Sequence, residues 1–105
     1  MQKHGDSFKV TLLFPLRDND GNAFAEEIWI WWWDQITRLF TGFTDLGVVE
    51  GWWHGHSDLN RWIVVVVRTE REINQIREFL RLACKRFRQE AMYLEYHPVR
   101  FEEVR

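Results

Sequence analysis

The chain has 105 residues with 14 basic and 16 acidic side chains, a formal net charge of -2 and 46% hydrophobic residues. This length and hydrophobic content suit one compact domain over residues 1–105, and the charge balance lacks the strong basic excess typical of nucleic-acid-binding domains. A single cysteine excludes an internal disulfide framework and no apolar stretch is long enough to span a bilayer, so we expect a cytoplasmic protein that binds neither nucleic acid nor membrane.

The first predicted elements are a strand and a helix. Apolar and other side chains alternate over residues 8–14, the period expected of a strand, and Pro15 then limits its pairing. Residues 17–22 are rich in turn formers, and Asn22 is the expected N-cap of a helix that runs to about Phe40. Glu26 and Glu27 stand where the helix dipole favours carboxylates.

The middle of the chain predicts two strands joined by a hairpin. Residues 46–53 have extended character, and residues 54–58 form a turn-rich loop. The next segment, residues 61–69, contains the run Ile63-Val-Val-Val-Val67. Because this β-branched run does not alternate with polar residues, it indicates a central strand that is covered on both faces.

The last part of the chain predicts a second helix and a fourth strand. Thr69 and Glu72 have the spacing of a capping box, and apolar residues then recur at helical spacing to about Glu90. Extended character returns over residues 92–95, and Pro98 interrupts or ends that strand. The order β-α-β-β-α-β predicts an α+β, ferredoxin-like fold, with a four-stranded antiparallel sheet and both helices on one face.

Three short motifs lie between residues 29 and 94: Arg38-x-Phe40-x-Gly42-Phe43-Thr44, Gly51-Trp52 and Arg86-x-x-Gln89-Glu90-Ala91. Together they resemble the pattern of a family of small bacterial ferredoxin-like domains of unknown function. The resemblance implies the fold. It supplies no active-site residues, because the family has no established chemistry.

The first helix contains six large apolar residues in succession, from Ile28 to Trp33. At 100° per residue, Trp29 and Trp32 fall on an ordinary core face, whereas Ile30 and Trp31 lie outside it and Trp33 lies at its edge. Isolated apolar residues are common on protein surfaces, but aromatic residues are also enriched in interface cores. Ile30, Trp31 and Trp33 are therefore either scattered surface residues or a partner interface.

Two helices on one face of a sheet leave the other face open. The run Ile63-Val-Val-Val-Val67 places apolar side chains on both faces of the sheet. We expect a homodimer in which two sheets stack and enclose a cavity. Its polar candidates are Glu50, Glu95 and His97. Its predicted aromatic walls are Trp52, Trp62 and Tyr93.

Two groups of residues are candidates for chemistry. Glu95 and His97 share a strand face and suit general acid-base work, although two polar residues on an edge strand are the simpler interpretation. His54, His56 and Asp58 supply metal-ligand types within five residues, but an exposed hairpin loop is the default and we expect no metal.

No nucleophile, glycine-rich phosphate loop or cofactor motif is evident. We therefore predict a self-associating, non-catalytic domain that needs no cofactor and binds a hydrophobic ligand or a protein partner. The alternative is a small cofactor-independent enzyme whose cavity over the open sheet face uses Glu95 and His97 as its acid-base pair.

Overall fold

A computed structural model describes residues 3–105, with side chains from Ser7 onward. The elements follow the predicted order: β1 (Lys3–Pro15), α1 (Glu26–Leu39), β2 (Thr44–Trp53), β3 (His56–Val67), α2 (Glu70–Arg86) and β4 (Tyr93–Glu103). The strands form a four-stranded antiparallel sheet in the order β2-β3-β1-β4. This is a ferredoxin-like α+β fold, as the sequence predicts.

The register between the two central strands decides which side chains face the helices. Val10 pairs with Val65 and Leu12 with Ile63, and all four are at most 4% exposed. Opposite partners share a sheet face, so the intervening side chains of β1 and β3 lie together on the open face. On β3, the open-face set is Trp62, Val64 and Val66, and Arg68 follows the last residue of the strand.

Both helices bury their apolar stripes against this same sheet face. Trp32 and Ile36 of α1 are fully buried, as are Ile73 and Ile76 of α2. The helical projection is correct for the core face of α1, because partly buried Ile28, Trp29 and Leu39 also pack against the core. One face of the sheet thus holds the hydrophobic core.

The predicted capping box at the start of α2 is confirmed. The Glu72 backbone N–H donates to Thr69 Oγ1 at 3.2 Å, and the Glu72 carboxylate accepts from the backbone N–H of Arg68 at 3.3 Å. These bonds satisfy amide groups that have no partner within the first helical turn.

Replacing Thr69 with alanine should lower the free energy of unfolding by about 1 kcal/mol, because the helix loses this acceptor. Thr69→Ser retains the hydroxyl and should unfold close to wild type in urea. An equal loss in both variants would show that the hydroxyl does not stabilise the helix.

Each helix differs from its predicted bounds at one end, α1 at its start and α2 at its end. Asn22 is not the N-cap of α1; its backbone N–H donates to Asp18 Oδ1 at 2.9 Å within the preceding turn, and Ala25 precedes the helix without a side-chain cap. At the other end of the chain, α2 stops at Arg86, before the predicted Glu90. Arg88 lies in the left-handed region at φ 53°, which a helix cannot accommodate.

All four strands are longer than predicted. The hairpin loop contains only His54 and Gly55, whose φ values of 49° and 78° suit the tight turn that joins twisted strands. Pro98 does not end β4, which continues to Glu103. The prolyl residue is tolerated because β4 is an edge strand, where a missing amide donor breaks no ladder bond on the solvent side.

Candidate functional site

The β2–β3 hairpin extends beyond the rest of the sheet. β1 ends at Pro15, opposite Asn60, whereas β2 and β3 remain paired out to Trp53 and His56. We call residues 50–59 the arm. Trp52 and Trp53 of the arm are 68% and 74% exposed, the largest exposed fractions among the described tryptophans.

A pocket of about 300 Å³ lies where the arm projects past β1, and we call it the end pocket. One wall comes from the arm and the other from the connection between α2 and β4. The lining residues are Leu13, Pro15, Gly51, Trp52, Trp53, Asp58, Asn60, Gln89, Ala91, Met92 and Tyr93. This lining contains three aromatic side chains and one carboxylate, and no Lys, Arg or His.

A second and more polar cavity of about 480 Å³ shares Pro15, Asp58 and Gln89 with the end pocket. Glu50 lines this second cavity because it pairs with Leu59, on the opposite sheet face from Glu95 and His97. The prediction that Glu50 lies with those two residues is therefore wrong. β-strand alternation places it on the other side of the arm.

The open sheet face has an apolar centre and a polar margin. Leu13 lies opposite Trp62, and Val64 and Val66 continue the same row along β3. Leu13, Trp62 and Val64 are half-buried by their neighbours within the sheet, while Val66 is 46% exposed. The charged and polar side chains around this centre are Lys9, Arg68, Glu95 and His97.

Glu95 and His97 do lie on the open face, as predicted, opposite Thr11 and Lys9 respectively. Both are exposed on the edge strand β4. Desolvation, followed by the charge of the Glu95 carboxylate and a side-chain hydrogen bond to it, raises the pKa of Tyr93. Glu95 thus neighbours an aromatic wall of the end pocket, and it is not enclosed with His97 in a desolvated cavity.

The three histidine-loop candidates do not form one ligand set. His54 occupies the turn, whereas His56 and Asp58 are strand residues two apart in β3. Within residues 7–105, no three side chains of the types His, Cys, Asp and Glu are grouped so that they could hold a metal ion. Asp58 contributes to the end pocket instead.

The predicted interface residues of α1 separate in the structure. Ile30 and Trp33 are 61% and 56% exposed and, three residues apart, they share a helix face. Trp31 is partly buried; its ring stacks on Phe79 of α2 at a centroid distance of 6.1 Å. The placement of Trp31 outside the core is wrong, because α2 packs beside α1 and covers that side of it.

Arg61 is a structural residue that the sequence analysis did not identify. Its guanidinium carbon lies 5.2 Å from the ring centroid of Trp29 and 4.9 Å from that of Trp32. Its Nε is 3.2 Å from Asp45 Oδ2. Arg61 therefore connects β3, at the base of the arm, to α1. The sequence feature that could have identified it is its position two residues before Ile63, which places its side chain on the helix-facing side of β3.

No family model, curated protein or solved structure matches this chain. The resemblance to a small bacterial domain family thus stays a prediction. Neither helix in the described part of the chain is long and apolar enough to cross a membrane.

Proposed function

We propose that the chain is a non-catalytic binding module that pairs with a second copy through its open sheet face and takes a small ligand in the end pocket. The observation that carries the pairing is the apolar centre of that face, formed by Leu13, Trp62, Val64 and Val66 within a polar margin. Protein interfaces have this anatomy, with an apolar centre and a polar rim.

The dimensions of the face suit a homodimer. Four strands lie about 4.8 Å apart, and each contributes about eight to ten residues at about 3.3 Å per residue. The face therefore has a flat area of roughly 500–650 Å², to which the surface of its side chains is added. Standard interfaces bury about 800 Å² on each partner. A second copy stacked face to face therefore buries an area close to that of stable complexes.

Charge also favours a second copy as the occupant. The margin includes the cation Lys9 and the anion Glu95 on neighbouring strands, with Glu95 opposite Thr11, two residues along β1 from Lys9. A two-fold related copy carries both signs as well, so each charge has an opposite charge available across the interface.

Pairing through the sheet edges is disfavoured. The outer strand β4 contains Pro98, and β2 is interrupted by a bulge between Asp45 and Val48, where Gly47 has a φ of 87°. Proline and bulges are features that keep exposed edges from adding further strands. Face-to-face stacking is the remaining way for the sheets of two copies to meet.

The geometry supports binding over catalysis. General acid-base groups need a positioned substrate and, for shifted proton affinities, a desolvated environment. Glu95 and His97 are exposed on an edge strand, and neither lines the end pocket. Replacement of His97 by alanine should leave ligand binding in the pocket unchanged.

Sedimentation equilibrium tests the pairing. We expect twice the mass of the chain at micromolar and higher concentrations, with dissociation on dilution. The mass of a single chain at every concentration would contradict the dimer.

A further inference from the structure

We propose that the end pocket binds an alkylammonium cation, of the trimethylammonium type, between the rings of Trp53 and Tyr93 and the carboxylate of Asp58. This inference rests on the proposed function only in taking the end pocket as a ligand site. It does not depend on the pairing of two copies.

Within the described residues no guanidinium group lies over the aromatic rings of the pocket, and the Trp53 ring packs edge to face with the His54 ring at a centroid distance of 4.8 Å. Elsewhere in the described chain, arginine guanidinium groups lie within 6 Å of aromatic ring centroids at Trp29, Trp31, Trp32, Tyr96 and Phe101. Among residues 7–105, no arginine or lysine occupies such a position over Trp52, Trp53 or Tyr93. Electron-rich ring faces without a cation attract one from solution, and tryptophan attracts it most strongly.

The charge of the lining selects the sign of the ligand. Asp58 is the charged residue of the lining, and it is joined there by the neutral polar side chains of Asn60 and Gln89. Glu95 adds negative charge beside Tyr93, to which it is close enough to raise the pKa of that phenol, after the larger effect of desolvation. An anion would meet repulsion at this site, whereas a cation would be attracted by the Asp58 carboxylate.

The size and the remaining lining match methylated ammonium. A volume of about 300 Å³ is at the lower end of the range for ligand pockets, so the site suits a small group and not an extended molecule. Ala91 and Met92 provide apolar contacts for N-methyl groups. A weakly hydrated quaternary ammonium loses less water on entering such a lining than a primary ammonium does.

The test uses choline and tetramethylammonium as probes, with 3,3-dimethyl-1-butanol as the uncharged isostere of choline. In a titration followed by ¹⁵N–¹H spectra, we expect the indole signal of Trp53 to move with both cations. The isostere should bind about fivefold or more weakly, since it lacks the charge that the rings and Asp58 attract. Comparing the binding of a trimethyllysine peptide with that of its unmethylated form shows whether the natural ligand is a methylated protein side chain or a free small molecule.

Two variants separate the contributions of ring and charge. Trp53→Leu keeps an apolar side chain and should weaken choline about fivefold while changing the isostere little, and Asp58→Asn should also weaken choline selectively. Trp33→Leu is the matched control, since Trp33 is an exposed tryptophan on α1 outside the pocket. It should leave choline binding unchanged.

The other outcomes are distinguishable. Equal binding of choline and its isostere would overturn the cation and leave the end pocket as an apolar ligand site, in agreement with the proposed function. Binding of neither probe, together with no response to the trimethyllysine peptide, would overturn the inference. Sedimentation reports separately on the pairing of two copies.

Discussion

Replacing Phe14 with alanine is expected to lower the free energy of unfolding by about 3–5 kcal/mol, the range for removal of a buried aromatic ring. Phe14 is fully buried at the end of β1, and its ring lies between both helices. Centroid distances are 5.4 Å to Trp32 of α1, 5.9 Å to Phe79 of α2 and 6.2 Å to Phe87. The rigid rings around it cannot collapse into the space, so a cavity remains.

Urea denaturation at one fixed protein concentration measures this loss, because pairing of copies adds a concentration-dependent contribution to stability. Ile30→Ala is the control. Ile30 is 61% exposed, so its removal should change the free energy of unfolding by no more than about 0.5 kcal/mol. A loss below about 1 kcal/mol for Phe14→Ala would contradict the central position of this ring.

Replacing Val64 with lysine should raise the dissociation constant of the dimer about 100-fold or more. Val64 lies at the centre of the open face, opposite Thr11 and next to Trp62. In the separate chain, the lysine stem lies along the apolar surface and its ammonium reaches water. In the stacked dimer, two such ammonium groups would be buried without a partner, which costs several kcal/mol, and each 1.4 kcal/mol is a tenfold change in affinity.

Ile30→Lys is the matched control, because it places the same charge on the exposed patch that Ile30 and Trp33 form on α1. Sedimentation equilibrium should show a dimer for Ile30→Lys and a monomer for Val64→Lys, with both variants retaining the wild-type circular dichroism spectrum. The reverse result would move the interface to α1. Two unchanged dimers would exclude both surfaces.

Local patterns were sufficient to predict the fold. The alternation over residues 8–14, the capping pair Thr69 and Glu72, and the β-branched run of β3 each depend on neighbours within a few positions. The order of six such elements then leaves few topologies, because crossover connections are right-handed. The predicted element boundaries were less accurate at Asn22 and Pro98. Asn22 takes part in the hydrogen bonds of the preceding turn and Pro98 lies on an edge strand, and neither circumstance can be recognised from the local sequence.

The candidate site was only partly predictable. Trp52, Trp62 and Tyr93 were expected to form the walls of a cavity over the open face. Trp62 and Tyr93 lie on that face, and Trp52 and Tyr93 line the end pocket. Trp53, Asp58 and Met92 were missed as a group, because they come together only where β1 ends and the arm continues past it. No spacing along the chain encodes that meeting.

The sequence by itself determined the elements, their order and the amphipathic faces of the helices, since these follow from contacts within one turn of helix or between alternate strand positions. The tertiary structure decided the register of β1 against β3, the packing of Trp31 on α2 and the separation of Glu50 from Glu95. A shift of one residue in strand pairing exchanges every side chain between the two faces of a sheet. Only the packed core, by burying Val10, Leu12 and Phe14, selects one register and so decides what the open face presents.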